Sequence, residues 1–79
     1  MNLAQAVALR TSELLKKHNK SQYRLIKDTC LSKKTIQNIM QLKHPDIRLS
    51  TIYLIAEFFG MTLAEFFDCD YFKGIDIYN

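Results

Sequence analysis

Residues 22–41, QYRLIKDTCLSKKTIQNIMQ, decide the fold of this chain. Their pattern predicts two short helices joined by a tight corner. The first helix begins after Ser21, whose hydroxyl can accept a hydrogen bond from a free amide of the first turn. This helix directs Leu25 and Ile26 toward a core, and Leu31 provides the apolar side chain that fills the corner after it.

The second helix of this stretch has two contrasting faces. It begins after Ser32, another capping residue, and Ile36, Ile39 and Met40 form its apolar face at spacing i, i+3, i+4. Its opposite face carries cationic and amide side chains, namely Lys34, Gln37, Asn38 and Gln41, with Lys33 and Thr35 at the flanks. A short helix that presents such groups from a packed scaffold is suited to contact base edges in a DNA major groove.

This stretch and the segments after it resemble the helix-turn-helix of the Cro/repressor family, also called the xenobiotic-response-element-type regulators. The resemblance continues through a loop at Leu42–Leu49, a helix at STIYLIAEFFG and a short helix at MTLAEFFD. It extends from about Val7 to Asp68, within the boundary uncertainty of such assignments. It implies an all-α fold, a compact five-helix lambda-repressor-like helix-turn-helix domain over residues 1–68. Residues 69–79 follow as a short apolar tail, a dimerisation or capping segment.

Two positions depart from the family pattern. Family members usually have alanine where this chain has Ile26, and glycine in the corner where it has Cys30. Isoleucine at the first position is expected to widen the helix crossing. Cysteine at the second is expected to strain a left-handed corner by about 1 kcal/mol. Both departures concern the angle between the two helices rather than the fold.

The residue types of the second helix predict direct contacts with bases. Lysine can donate to guanine O6 or N7, the amides of glutamine and asparagine can pair with an adenine edge, and a threonine methyl can meet thymine. The expected base-contacting residues are Lys33, Lys34, Thr35, Gln37 and Asn38.

A second set of residues is expected to contact DNA phosphates. By resemblance, Gln22 bonds a phosphate at the start of the first helix of the stretch, where free amides favour an anion. The loop after the second helix is cationic, and the family resemblance implies that it follows the sugar–phosphate backbone. The expected phosphate contacts are Gln22, Tyr23, Lys43, His44 and Arg48. For Gln22 and Tyr23, ordinary solvent exposure is an equally simple interpretation.

Charge is distributed unevenly along the 79 residues, although the net charge is only +3. Residues 1–50 hold ten of the eleven lysine and arginine residues against three acidic ones, which gives +7. Residues 51–79 hold Lys73 against five acidic residues, which gives −4. A polyanion is therefore attracted to the first half and repelled by the second, although the lysines could also simply solvate helix surfaces.

The remaining helices are predicted from periodicity and capping residues. The first runs from about Leu3 to His18, with an apolar stripe of Ala4, Val7, Leu14 and Leu15 and with Arg10, Glu13, Lys16 and Lys17 facing water. A helix capped by Ser50 and ended by Gly60 turns Ile52, Ile55, Ala56 and Phe59 inward. Thr62 and Glu65 form a capping box for the last helix, which buries Leu63, Phe66 and Phe67.

The tail is too apolar for a solvated end, and Ile75-Asp76-Ile77 alternates like a short strand. Either it folds back over the first helix, or it pairs with a second subunit. A homodimer is favoured, because two symmetric recognition helices would contact half-sites about 34 Å apart. The expected dimer or partner surface is Phe67, Tyr71, Phe72, Ile75, Ile77 and Tyr78.

Several functional classes find no support in the sequence. No apolar run approaches the ~18 residues of a membrane span, and no secretory signal is seen, so a cytoplasmic location is expected. Cys30 and Cys69, with two histidines, do not form a zinc-site pattern, and no catalytic arrangement is evident. Neither a cofactor nor a small-molecule effector is expected.

Two functions from different classes follow. The first is a sequence-specific regulator of transcription that binds double-stranded DNA, most simply a repressor. The second is a protein-interaction module, such as an antitoxin or a regulatory partner, that uses the aromatic C-terminal surface.

Overall fold

The computed structural model describes residues 2–42 and 47–74, and within these ranges the regular structure is helical. Five α-helices and one short 3-10 helix follow one another: α1 (Leu3–Lys17), α2 (Gln22–Thr29), α3 (Lys33–Met40), α4 (Leu49–Phe58), α5 (Leu63–Phe67) and the 3-10 helix Asp70–Phe72. The predicted all-α, five-helix architecture is confirmed. The predicted strand at residues 75–77 lies outside the described residues.

Capping side chains set the starts of α2, α3 and α5, as predicted. The Ser21 hydroxyl accepts from the Arg24 amide at 3.1 Å, and the Ser32 hydroxyl accepts from the Thr35 amide at 3.0 Å. Thr62 and Glu65 form both bonds of a capping box. The α1 helix has a second capping box, formed by Asn2 and Gln5, that was not predicted.

The predicted cap of α4 was wrong. The helix begins at Leu49, and Ser50 already lies in its first turn, because the Thr51 and Ile52 amides both donate to the Arg48 carbonyl. The predicted end of the helix is confirmed. Gly60 has a φ of +71°, and the amide after it returns to the Ala56 carbonyl at 2.9 Å.

The corner between α2 and α3 turns at Cys30, whose φ of 62° lies in the left-handed region. The residue type that the family usually has there, glycine, adopts this conformation without a steric cost. The Thr29 hydroxyl donates to the Leu25 carbonyl at 2.6 Å and stabilises the last turn of α2. Leu31 packs against the core next to this corner, as predicted.

The core is formed by apolar side chains from all five helices. Leu25 and Ile55 are fully buried, as is Phe66 of α5. The predicted stripes of α1 and α4 are buried, as are Ile36 and Ile39 of α3. Met40 of the predicted α3 face and Leu63 and Phe67 of α5 are only partly buried, and they pack against the core together with Ile26 and Leu31. Leu25 of α2 and Ile36 and Ile39 of α3 share this core, so the polar face of α3 lies on the outside.

One predicted surface residue of α1, Arg10, does not face water. Its side chain is only 12% exposed. Arg10 Nε donates to the Phe66 carbonyl at 2.8 Å, and Nη2 donates to the Glu65 carbonyl at 2.9 Å. The prediction was wrong because its partners are backbone carbonyls at the end of α5, far away in sequence.

Glu13 extends this arrangement to the C-terminal segment. Its carboxylate accepts from Arg10 Nη1 at 3.1 Å and from the Tyr71 hydroxyl at 2.9 Å. We call Arg10, Glu13 and Tyr71, with the carbonyls of Glu65 and Phe66, the C-terminal clamp. The clamp ties α5 and the 3-10 helix to α1, so for residues 70–72 the chain folds back over its first helix.

None of the helices in residues 2–42 and 47–74 is long and apolar enough to cross a lipid bilayer.

Candidate nucleic-acid interface

The outward face of α3 is the main candidate for contact with DNA. Lys33, Lys34 and Gln37 are exposed, and so is Gln41 directly after the helix. Their spacing on a helix of 3.6 residues per turn places all four on one side. Behind them, Ile36 and Ile39 are buried in the core, at 1% and 5% exposure. The packed core therefore presents these cationic and amide groups in a fixed orientation.

Thr35 and Asn38, also predicted to contact bases, are only half-exposed. The Thr35 hydroxyl lies 2.7 Å from the Ser32 hydroxyl, so it already takes part in the cap of α3. Its methyl group remains for a contact with thymine. Asn38 lies on the edge of the outward face, toward α4.

Grooves lie on both sides of the outward face of α3 in the described part of the chain. The α2–α3 groove, of about 540 Å³, is lined by Gln22, Tyr23, Ile26, Lys27, Lys33 and Gln37. The α3–α4 groove, of about 510 Å³, has a lining that includes Thr35, Asn38, Arg48, Ser50 and Thr51. The structure therefore divides the predicted base-contacting residues: Lys33 and Gln37 belong to the first groove, Thr35 and Asn38 to the second, and Lys34 lines neither.

The start of α4 has the features of a phosphate-binding position. It lacks a side-chain cap, and the exposed Arg48 is its first flanking residue. Thr51 is 8% exposed and lines the α3–α4 groove, so its hydroxyl lies beside Arg48 in that groove. Free amides, a cation and a hydroxyl at a helix N-terminus together favour an anion.

The start of α2 provides a second such position on the other side of α3. Gln22 is the first residue of the helix and is exposed, and Tyr23 beside it has 67% of its surface exposed. Both side chains line the α2–α3 groove, next to Lys33. The contact of these two residues with phosphate stays a prediction.

The lysines on and beside α3 form no ion pair among the described residues, as is also true of Lys16, Lys17 and Lys20 near the end of α1. Among the described residues the ion pairs are Arg10–Glu13, Arg24–Asp28 and Lys73–Asp70. None of them involves a lysine that borders α3. In the described part of the chain, the positive charges of Lys27, Lys33 and Lys34 are therefore not neutralised by a carboxylate.

Part of the predicted site lies outside the described residues, namely Lys43, His44, Ile75, Ile77 and Tyr78. Of the predicted dimer surface, Phe67 and Phe72 contact each other edge to face, with ring centroids 4.9 Å apart, and both pack against the core. Tyr71 belongs to the C-terminal clamp, where its hydroxyl donates to Glu13. That bond raises the pKa of Tyr71 above its ordinary value, and the charge of Glu13 adds to the effect.

Sequence reasoning left two residues of this surface out of the predicted contacts. Lys27 lines the α2–α3 groove, one helical turn after Tyr23. Gln41 is exposed directly after α3. The i, i+4 spacing from Tyr23 to Lys27 and from Gln37 to Gln41 was the signal that could have identified both.

Comparison with known proteins agrees with this geometry. The family model described as the Cro/C1-type HTH DNA-binding domain matches residues 10–70, which is more than half of the chain. Comparisons with curated proteins and with solved structures gave no significant match. The matched region begins at Arg10 of the clamp and includes α2, α3, α4 and α5.

Proposed function

We propose that this chain, which belongs to the family of Cro/C1-type HTH DNA-binding domains, regulates transcription by binding a specific double-stranded DNA sequence with the outward face of α3. DNA as the partner follows from the family. Sequence-specific binding by α3 is supported by the arrangement of Lys33, Lys34 and Gln37 on one exposed side of this helix. The helix is capped at its start, and its other side packs against the core.

We assign different roles to the residues of this face. Lys33, Lys34 and Asn38 contact base edges, with Thr35 and Gln37 as further contributors. Lysine can donate to guanine, whereas an amide can pair with the donor and acceptor of adenine. The half-exposed position of Asn38 supports a contact at the edge of the face rather than at its centre.

The two helix N-termini beside α3 hold the DNA backbone in this proposal. Gln22 and Tyr23 contact a phosphate on one side, and Arg48 contacts a phosphate on the other. The uncapped start of α4 and the hydroxyl of Thr51 support the second position. Lys43 and His44 are assigned to the backbone by their charge and by the family resemblance alone. Such contacts contribute affinity and register but no sequence preference.

Regulation by occupancy is the simplest mode of action for such a unit. A bound domain of this kind represses transcription by blocking polymerase, without catalysis, cofactor or small-molecule effector, in the cytoplasm. We propose that it binds as a homodimer, because two symmetric recognition helices specify a longer site than one. Residues 1–68 form the DNA-binding domain in this proposal, and residues 69–79 close it and contact the second subunit.

The alternative, a protein-interaction module with an aromatic gripping surface, has less support. Phe67 and Phe72 contact each other and the core, so they are not fully available to a partner.

Selection of bound duplexes from a random DNA pool, with purified protein at physiological salt, tests the proposal. We expect an inverted repeat whose half-sites lie one helical turn apart, about 34 Å. A motif without symmetry would support sequence specificity and contradict the homodimer. Recovery of no motif, with only weak salt-sensitive binding, would contradict sequence-specific regulation and favour the interaction module.

A further inference from the structure

The α2–α3 groove has an apolar floor at a place where a DNA-binding surface is otherwise polar. Ile26 is partly buried, with part of its side chain against the core and part lining the groove. Tyr23, which is 67% exposed, forms the adjacent wall. A smaller residue at position 26, such as the alanine that the resemblance leads one to expect, would leave the groove deeper and less apolar.

The rim of the groove is polar and cationic. Lys33 and Gln37 border it from α3, and Lys27 and Gln22 border it from α2. None of the described residues that line it is acidic, and Asp28, the acidic residue of α2, is paired with Arg24 at 2.8 Å. Two lysines around an apolar floor fit a polyanion that carries apolar groups. A nucleic-acid strand is such a ligand, because its negative phosphates alternate with bases and sugars.

One apolar group is specific to a base in the DNA major groove. Each base pair presents a different pattern there, and thymine is distinguished by its 5-methyl group, which proteins contact with apolar side chains. Lys33 and Gln37, which are proposed to contact base edges, line this groove together with Ile26, so a base that they contact would lie beside the groove floor. Of the side chains that line the groove, Ile26 is the aliphatic one.

We propose that Ile26 is a specificity-determining residue that contacts the 5-methyl group of one thymine in each half-site, with Tyr23 as the second wall of the pocket. This inference rests on the proposed function, because it requires α3 to lie in the major groove in a fixed register. It adds a base contact from α2 to those expected from α3.

The test uses deoxyuridine, which differs from thymidine only by lacking the methyl group. In the duplex recovered by selection, each thymine is replaced in turn, and the Kd is measured for the wild-type chain and for Ile26→Ala. We expect one position per half-site, separate from any thymine that Thr35 contacts, at which the wild type binds the deoxyuridine duplex about three- to fourfold more weakly, the effect of exposing one methyl group. Ile26→Ala should bind the duplex with thymidine at that position and the duplex with deoxyuridine there with the same Kd.

Two control variants make the test specific. Leu9→Ala removes an apolar side chain of α1 that is 43% exposed and lies outside the groove, so it should keep the full deoxyuridine effect. Ile26→Val should keep part of it, which guards against general damage by the alanine variant. Far-UV circular dichroism and urea unfolding establish that each variant is folded at the assay temperature.

The outcomes separate this inference from the function on which it rests. A recovered motif without any methyl-sensitive thymine, or full methyl discrimination by Ile26→Ala at every methyl-sensitive thymine, overturns the role of Ile26 and leaves sequence-specific binding intact. Recovery of no motif overturns both, because a methyl contact presupposes a fixed register on the DNA.

Discussion

Charged and hydroxyl side chains are bonded to other protein groups in one region of this molecule, whereas charged side chains in a second region lack such partners. In the C-terminal clamp, Arg10, Glu13 and Tyr71 bond to one another and to the end of α5. On the outward face of α3, Lys33 and Lys34 have no carboxylate partner among the described residues. Residue type alone does not distinguish the two regions, since both carry long cationic side chains on a helix.

The difference lies in what the fold places beside each charge. A charged group with internal partners contributes to folding, because its hydrogen bonds replace those lost to water. A charged group held on a rigid exposed face contributes to binding, because it attracts a ligand of opposite sign. Variants of the clamp should therefore change stability, and variants of the α3 face should change DNA affinity.

The largest effect is expected for Arg10→Met. This substitution keeps most of the side-chain volume but removes the hydrogen bonds to the carbonyls of Phe66 and Glu65. We expect the free energy of unfolding in urea to fall by about 3 kcal/mol, since bonds from a charged donor contribute about 1.5–3 kcal/mol each. Arg24→Met is the matched control: it breaks an exposed pair with Asp28 and should cost about 0.5 kcal/mol or less. Equal losses in the two variants would contradict the clamp.

Asn38→Ala should act on binding instead. We expect discrimination at one base pair of the selected site to fall by about 1–3 kcal/mol, because a side-chain amide contributes about that much to base selection. Titrations of the selected site and of its single-base variants, at three salt concentrations, measure this. The salt dependence should stay unchanged because no phosphate contact is removed. Unchanged discrimination at every base pair would contradict the assignment of Asn38.

Ser32→Ala concerns both folding and binding, because it removes the cap of α3, the helix that is proposed to bind DNA. The Ser32 hydroxyl accepts from the Thr35 amide and bonds to the Thr35 hydroxyl. Loss of an N-cap should lower the free energy of unfolding by about 1 kcal/mol. Ser12→Ala, at an exposed position within α1, is the control and should change it little. Equal free energies of unfolding for Ser32→Ala and Ser12→Ala would mean that the cap of α3 contributes nothing to stability.

The smallest effect is expected for Tyr71→Phe, and it should depend on pH. The bond to Glu13 raises the pKa of Tyr71 above its ordinary value of 10.0, so folding favours the protonated phenol. This contribution is fully present below pH 10.0 and is lost as pH rises through the higher pKa of the folded state. Above pH 10.0, the free energy of unfolding of the wild type should therefore fall more steeply with pH than that of Tyr71→Phe. Tyr53→Phe, which alters an exposed residue of α4, should follow the wild type.

Much of the fold could be predicted because its signals are local. Ser21, Ser32 and Thr62 lie within three residues of the amides that they cap, so their pattern is visible in the sequence. Arg10 could not be predicted as part of a clamp, since its acceptors are carbonyls 55 and 56 residues away, and a carbonyl carries no residue-type signal. The prediction that Ser50 caps α4 was wrong because a residue type that caps helices is also tolerated inside a first turn.

In the candidate site, too, some features could be predicted from local sequence signals and others could not. Helical periodicity was enough to place Lys33, Lys34 and Gln37 on the outside of α3. Thr35 and Asn38 line the α3–α4 groove together with residues at the start of α4. The spacing of residues within α3 carries no information about that neighbour.

The central claim is that the outward face of α3 binds DNA, and the effect of its two lysines on the affinity and salt dependence of binding tests it most directly. Lys33→Ala with Lys34→Ala should weaken binding to the selected site and reduce the log–log salt slope by about one unit for each lysine that also contacts a phosphate. Lys16→Ala with Lys17→Ala removes the same charge from the exposed end of α1 and should leave both quantities nearly unchanged. Equal losses in the two double variants would mean that net charge, rather than the α3 face, drives the interaction, and would contradict the claim.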